Sequence, residues 1–196
     1  MPLVPHLSKF YDESMRIYLT FSLLFFCLNT QAALFIEPLV LTRVAGDTKH
    51  QAQNYGTDKT NYGSRFGFMS GGSFIAAEAM GSSWTITSPD KSTKEDFSGL
   101  SAGITVGHQI AFLRIFGSYY FINSMTSDLD NSKLDGSGFV VGLSLGGINY
   151  LNLVFSYEIS HYKERTTASG IVTDLGGDLA IKPQIFLLGL SYPLTF

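Results

Sequence analysis

The sequence contains few charged residues, a single cysteine and no surplus of basic residues. Charged residues make up 15% of the 196-residue chain, against roughly 25% in soluble globular domains. The one cysteine, Cys27, excludes an internal disulfide bond. The 13 basic residues are outnumbered by 16 acidic residues and form no basic stripe. This composition argues against a typical cytosolic enzyme and against a nucleic-acid-binding protein.

Long apolar runs and cofactor motifs are also missing from the body of the chain. No run of 18 apolar residues follows residue 33, which excludes a helical membrane span there. The sequence has no phosphate-cradling glycine loop, no CxxC pair and no nucleotide-binding fingerprint. His50 and His108 are too scattered to form a zinc site. We therefore expect no cofactor and no metal.

The first 32 residues are typical of an export signal. Arg16 precedes an apolar stretch, residues 17–28, and small or polar residues follow it up to Ala32. This order of a basic, an apolar and a cleavage region predicts a signal peptide, cut after Ala32. A complete signal already begins at Met15, so we predict that Met15 is the true start and that residues 1–14 are superfluous.

From residue 34 onwards the sequence falls into short segments in which apolar and polar residues alternate. This period of two is typical of half-buried β-strands, and turn residues separate the segments. No convincing helical pattern interrupts them. The predicted strands are 34–44, 64–71, 74–87, 97–108, 111–122, 138–147, 151–162 and 180–196.

The connections between these strands alternate in length. Those after the first, third, fifth and seventh strands are long and polar, and the longest covers residues 45–63. Those after the second, fourth and sixth strands have two to four residues. Outer-membrane barrels have long loops on the outside and short turns on the periplasmic side, and a soluble meander has no reason for such a division.

Each predicted strand has one apolar face and one face of small or polar residues. In strand 151–162, Leu153 and Phe155 share a face, whereas Ser156 and Glu158 share the opposite face. The second faces have too little bulk for a hydrophobic core. They fit the inside of a closed barrel whose apolar faces meet lipid, because closure also satisfies every backbone group. Residues 33–196 are thus predicted to form an all-β, eight-stranded, antiparallel up-and-down transmembrane barrel.

The final strand carries the same pattern to the last residue. We expect its alternating apolar residues to face lipid, with Tyr192 and Phe196 near the periplasmic interface. A terminal Phe after alternating apolar residues resembles the C-terminal signature by which the barrel-assembly machinery recognises bacterial outer-membrane proteins. The residues of this signature are Leu188, Leu190, Tyr192, Leu194 and Phe196.

The mature chain as a whole resembles the small eight-stranded outer-membrane barrels of the OmpA, OmpX and OmpW-like kind. The segments that carry the resemblance are "LFIEPLV", "SGLSAGITVG", "SGFVVGLSLGG" and "LLGLSYPLTF". The resemblance implies insertion into the outer membrane of a Gram-negative bacterium. It also implies contact with membrane lipid and lipopolysaccharide.

Six charged residues are predicted to point into the barrel. Buried charges persist only when they are paired and hydrogen-bonded, so we expect a salt-bridge network that fills the interior. An eight-stranded barrel is just wide enough for side chains to fill it. The predicted network consists of Glu37, Arg43, Arg65, Glu78, Arg114 and Glu158.

The sequence favours a structural or surface-interaction protein without enzymatic activity. Ser160 and His161 point to opposite strand faces and cannot form a nucleophile and base pair. Loop 45–63, with Tyr55 and Tyr62 among polar residues, is a candidate surface for a partner. Two alternatives stay open: a narrow channel for small hydrophobic or ionic solutes, and a soluble periplasmic lipocalin-like barrel with its apolar faces turned inward.

Overall fold

The computed structural model describes residues 32–51, 53–146, 151–176 and 179–196. The predicted signal segment, with its start at Met15 and Cys27, lies outside the described residues up to position 31. The described residues contain no helix long and apolar enough to span a membrane.

Within these residues the chain forms ten β-strands and every strand pairing is antiparallel. The strands are β1 (Ala33–His50), β2 (Gln53–Ser70), β3 (Ser73–Thr87), β4 (Lys94–Ile110), β5 (Leu113–Ser127), β6 (Lys133–Gly146), β7 (Asn152–Thr166), β8 (Val172–Asp174), β9 (Lys182–Ser191) and β10 (Leu194–Thr195).

The sheet closes into a ring. Each strand from β1 to β7 pairs with the next in sequence, and β9 pairs with both β7 and β1. The short β8 pairs only with the outer end of β7, and β10 extends the line of β9 along β1. The wall therefore has eight positions, filled by β1 to β7 and by β9 with β10, and the predicted up-and-down barrel is confirmed.

A proline interrupts the closing strand without opening the wall. Pro193, which has no N–H to donate, separates β9 from β10. On either side the hydrogen bonds resume: Tyr192 N–H donates to the Pro38 carbonyl at 3.0 Å, and Phe196 N–H donates to the Leu34 carbonyl at 3.0 Å. The seam between the first and last strands is thus bonded down to the final residue.

The two ends of the barrel differ as the loop lengths predicted. Gly71 and Gly72, with φ of 56° and 84°, make a two-residue turn between β2 and β3. Two paired glycines suit this turn because it needs positive φ at both positions. Between β4 and β5 the turn falls at Ala111 and Phe112, two residues later than predicted, with Ala111 at φ 53°. The third predicted short turn, residues 147–150, lies outside the described residues.

The prediction of a long loop at residues 45–63 is wrong. β1 runs to His50 and β2 starts at Gln53, so this segment is an extension of the barrel wall. The alternation was hidden because both faces are polar here. Thr48 and Thr57 point inward and are buried, while Asp47 and Asp58 point outward into solvent.

The exterior carries a broad apolar belt. Large apolar side chains on the outward face of neighbouring strands are about half exposed, among them Val40 (54%), Phe66 (52%), Ile104 (50%) and Phe139 (49%). The inward face holds the buried charges together with apolar side chains: in β7, Glu158 is buried beside Val154 and Tyr162. The prediction that the inward faces have too little bulk for a hydrophobic core is therefore wrong. The soluble lipocalin-like alternative required the reverse orientation of these faces and is contradicted.

The belt predicts a depth-dependent cost for charge on the outer wall. We expect Ile104→Arg, halfway along the apolar part of β4, to lower the free energy of unfolding in a lipid bilayer by about 2–4 kcal/mol. Leu100→Arg lies nearer the edge and should cost less than about 1 kcal/mol. Urea unfolding of the chain inserted in vesicles measures both values. Ile104→Ala controls for lost side-chain volume, and equal costs for the two arginines would contradict a lipid-facing belt.

Candidate functional site

The lower half of the barrel interior holds a cluster of two arginines and two glutamates, which we call the lower cluster: Glu37, Arg65, Glu78 and Arg114. Arg65 lies 3.2 Å from a carboxylate oxygen of Glu37 and 3.2 Å from one of Glu78. Arg114 donates to the other oxygen of Glu37 at 2.8 Å. Since β5 and β1 stand opposite each other in the ring, the Arg114–Glu37 pair crosses the lumen.

Hydroxyl groups complete the coordination of both carboxylates. Tyr120 and Ser118 donate to the two oxygens of Glu78 at 2.9 and 2.8 Å, and Thr105 also donates to this carboxylate. Ser191 donates to Glu37 at 2.7 Å. A buried carboxylate is tolerated when its lone pairs are occupied in this way. The lower cluster is therefore a bonded network rather than a set of isolated pairs.

Aromatic rings fill the space that the ion pairs leave. The Arg65 guanidinium lies 4.1 Å from the centroid of the Phe116 ring. The Arg114 guanidinium lies 5.2 Å from the centroid of the Phe74 ring. An added Cβ at Gly142 would overlap the Phe116 ring, so this position is kept as glycine by the inward-facing aromatic. The inward aromatics on β5 thus plug the lumen at the level of the arginines.

A second network, the upper cluster, lies closer to the long-loop end and consists of Lys59, Glu158, Ser160, Asn123 and Tyr162. Lys59 Nζ donates to Glu158 at 2.5 Å, and Ser160 Oγ donates to the same carboxylate oxygen at 2.9 Å. Asn123 donates to Ser160 at 2.8 Å and accepts from Tyr162 at 3.0 Å. All five side chains are buried.

The single tryptophan of the sequence covers the upper cluster. Lys59 Nζ lies 3.9 Å from the centroid of the Trp84 ring, a cation–π contact. Trp84 meets Tyr162 edge to face at 6.2 Å between ring centroids and donates from Nε1 to Ser82 at 2.7 Å. These rings close the lumen above the ion pair.

Five of the six residues predicted to point inward lie in these two clusters, and Arg43 is the exception. The strand bulges between Arg43 and Ala45, and the guanidinium bends back to donate to the Gly46 carbonyl at 2.6 Å. It also lies 3.3 Å from the exposed Asp58. The prediction that Arg43 joins an interior network is therefore wrong.

Lys59 takes the place that was assigned to Arg43, and sequence reasoning missed it because residues 45–63 were interpreted as a loop. The signal was present: Thr57, Lys59 and Asn61 alternate with exposed residues on β2. The buried charged residues among those described are then three cations and three carboxylates: Lys59, Arg65, Arg114, Glu37, Glu78 and Glu158. The interior is electrically balanced.

The long-loop end of the barrel contains a cavity of about 380 Å³. Ile86, Phe97, Leu134 and Ile181 are among the residues that line it, and Arg165 contributes a charged edge. Ile86 lies two residues further out than Trp84 on the same face of β3, so the tryptophan lies one inward position below this lining residue. The cavity therefore lies on the long-loop side of the upper cluster.

Serine and aspartate side chains shape the turns at this end. Ser88 and Ser92 donate to Asp90, and these hydrogen bonds lower the pKa of Asp90 to about 2. In the β5–β6 turn, hydrogen bonds from Ser132 lower the pKa of Asp130 to about 2. Both carboxylates are thus charged across the physiological pH range. Within the described residues no three His, Cys, Asp or Glu side chains are grouped so that they could hold a metal ion.

The structure separates Ser160 from His161 as the alternation predicted. Ser160 is buried inside the upper cluster, whereas His161 lies on the outer face of β7. The two side chains do not meet across the wall of the barrel.

Solved structures with the same architecture identify the fold. The Neisserial surface protein A superposes on this chain with a TM-score of 0.53 at 12% sequence identity. The superposition covers 83% of this chain and 98% of the Neisserial protein. The fold is that of a small eight-stranded outer-membrane barrel. The attachment invasion locus protein Ail of Yersinia pestis, solved with the heparin analogue sucrose octasulfate, covers the same shares with a TM-score of 0.50 at 12% identity.

No protein-family model matches the barrel sequence. No curated relative matches it either. The similarity therefore lies in the fold.

Removal of one partner from the lower cluster should destabilise the barrel strongly. We expect Glu78→Ala to lower the free energy of unfolding by about 3–5 kcal/mol, because Arg65 is then left buried with half its partners. The matched control is Asp58→Ala, which removes the exposed partner of Arg43 and should cost less than about 1 kcal/mol. Urea unfolding in vesicles measures the free energy of unfolding of both variants. Similar losses would show that the buried ion pairs stabilise the barrel no more than the exposed pair does.

Proposed function

We propose that this protein is a non-conducting barrel of the bacterial outer membrane, without enzymatic activity, that acts structurally or through its extracellular end. The observation that carries the proposal is the Arg114–Glu37 pair, because it joins opposite walls across the lumen. A channel wide enough for solutes has no room for such a contact. The proposal also accounts for the difference between the closed interior and the long-loop end, where the strands extend further and a cavity is present.

The apolar belt supports the membrane location. Side chains such as Phe66 and Phe155 are exposed on a closed wall, whereas the paired charges lie in the interior. Closure satisfies the backbone within the chain, which is the requirement for crossing a bilayer. The predicted C-terminal signature, Leu188 to Phe196, lies in the strand that closes the barrel, where Tyr192 and Phe196 are exposed. This placement suits recognition by the barrel-assembly machinery.

The extracellular end supports a role in surface interaction. The β1–β2 hairpin, residues 45–63, extends the wall outward, and the cavity of about 380 Å³ opens at the same end. One of the structural neighbours is named as a surface protein and another as an attachment invasion locus protein. The segment predicted to be a partner-binding loop thus contributes Thr48, His50 and Tyr55 to the lining of a recess that a partner can enter.

The channel alternative has less support in this geometry. Two stacked networks and the Trp84–Tyr162 pair lie across the lumen, and all their charges are paired. The Ser160 hydroxyl, for example, donates to the Glu158 carboxylate and accepts from the Asn123 amide. The same bonding argues against a catalytic role for the interior.

Conductance distinguishes the closed barrel from a channel. We expect the wild-type chain in planar bilayers to show no steady conductance, and Arg114→Ala to show openings because it removes the link across the lumen. Arg43→Ala is the matched control, since it deletes an arginine outside both clusters and should stay silent. Gel migration before and after heating establishes that each variant is folded. Steady conductance of the wild type would overturn the proposal.

A further inference from the structure

The cavity at the long-loop end contains a carboxylate beside apolar side chains. Glu95 on β4 lines this cavity together with Ile86 and Phe97. Ile86 is the direct cross-strand partner of Glu95. Phe97 follows two residues later on the same strand face, about 7 Å away along the strand. The Glu95 side chain therefore lies between hydrocarbon groups.

Glu95 has a hydroxyl partner but no basic partner in the part of the chain that the structure describes. The fully buried Ser127 donates to one Glu95 oxygen at 2.6 Å. None of the ion pairs formed by the described residues includes Glu95. A carboxylate that is partly removed from water is stabilised by an ion of opposite charge beside it. The position of Glu95 therefore favours a cation as its further contact.

Arg165 also lines the cavity, and its charge is already balanced. Its Nη2 atom lies 2.8 Å from the Asp130 carboxylate and donates to the Ser132 hydroxyl at 3.1 Å. Arg165 and Asp130 together add no net charge at the edge of the cavity. The charge of Glu95 thus makes this end of the lumen complementary to a cation.

The upper cluster shows which kind of cation this chain places beside such a carboxylate. The Lys59 ammonium lies 2.5 Å from Glu158 and 3.9 Å from the centroid of the Trp84 ring. Ser160 donates to the carboxylate oxygen that Lys59 contacts. An ammonium group is thus held by a carboxylate, a serine hydroxyl on that carboxylate and an aromatic ring.

The cavity repeats this arrangement with Glu95 as the carboxylate, Ser127 as the hydroxyl and Phe97 as the ring. We call these three residues the amine site. The difference from the upper cluster is that no described side chain brings an ammonium group to Glu95. The repeat therefore suits an ammonium group that comes from a ligand.

We propose that the cavity binds a small organic amine, whose ammonium group contacts Glu95 and whose apolar body packs against Ile86, Leu134 and Ile181. The volume suits such a ligand, since a cavity of about 150 Å³ holds one benzene molecule and this cavity has about 380 Å³. An aromatic ring with a short alkylamine chain fits within it. The inference rests on the proposed closed barrel and deepens it by naming the ligand class of the outer recess.

The cavity can be reached from solvent at its edge. The lining residues Arg165 and Leu179 are about half exposed, with 46% of the Arg165 side chain and 45% of Leu179 accessible. Below the cavity the upper cluster and the Trp84–Tyr162 pair close the lumen. A bound amine is therefore held at the outer end.

The test is a calorimetric titration of phenethylamine into the full chain held in phosphatidylcholine nanodiscs. We expect Glu95→Gln to raise the apparent dissociation constant about tenfold, because a charge-assisted contact is lost. The matched control is Asp96→Asn, which removes one negative charge from the adjacent, exposed residue on the outer face of β4 and should bind as the wild type does. Equal losses in the two variants would show general charge attraction and overturn the proposal.

Two further probes with the same aromatic body separate binding in the cavity from partition into the bilayer. Phenylethanol carries no charge, and phenylpropionate carries a negative charge. The amine site predicts that the wild type binds phenethylamine more tightly than either probe. Partition into lipid favours the uncharged alcohol instead, because a charged group is costly to remove from water. Tightest binding of phenylethanol would therefore contradict the amine site.

A variant with a lysine in the cavity gives an independent readout. Ile86→Lys places an ammonium group directly opposite Glu95, and we expect it to abolish phenethylamine binding because this group occupies the carboxylate. Ile86→Gln is the control for the lost apolar surface and should bind more tightly than Ile86→Lys. Gel migration before and after heating establishes that each variant is folded. Wild-type affinity in Ile86→Lys would overturn the role of Glu95.

Conductance distinguishes failure of this inference from failure of the proposed function. A wild-type chain that is silent in planar bilayers and shows no preference for phenethylamine would overturn this inference alone. Steady wild-type conductance would overturn the proposed closed barrel, and an amine that binds would then be a solute of the pore. Silence together with a loss of phenethylamine binding in Glu95→Gln alone supports both.

Discussion

The structure depends on one constraint: each charge buried in the closed interior needs a partner of opposite charge. Glu78 illustrates how the chain meets it, since an arginine, a tyrosine and two smaller hydroxyls from three different strands converge on one carboxylate. Replacement of a buried ion pair by apolar groups is often neutral for stability, whereas loss of one partner is costly. The network therefore acts chiefly to specify which strand positions face each other across the lumen.

The same constraint explains where aromatic residues and glycine lie inside the barrel. Phe116 and Tyr120 break the polar alternation of β5, and each lies against an ion-pair member: Phe116 on Arg65, Tyr120 on Glu78. Gly142 provides the room for the Phe116 ring. Packing and charge pairing therefore depend on the same residues, because a buried arginine is surrounded by both a carboxylate and an aromatic ring.

The sequence was informative wherever lipid lies on one side of the wall. In β7, neighbouring residues such as Phe155 and Ser156 differ strongly in hydrophobicity. This alternation predicts the strand, the face that meets lipid and the closed barrel. Beyond the membrane both faces of a strand are polar. The outer halves of β1 and β2 therefore show no alternation in hydrophobicity and were interpreted as a loop. That one error removed Lys59 from the interior. The bulge after residue 43 could not be foreseen either, since it depends on the register against β9.

Trp84 has a consequence for the order of events during folding. Its indole touches Lys59 from the adjacent strand β2 but also Tyr162 from β7, which lies across the barrel from β3. The first contact forms with a local hairpin, and the second exists only after the first and last strands have met. As the sole tryptophan of the chain, it is a built-in optical probe that separates hairpin formation from closure of the ring.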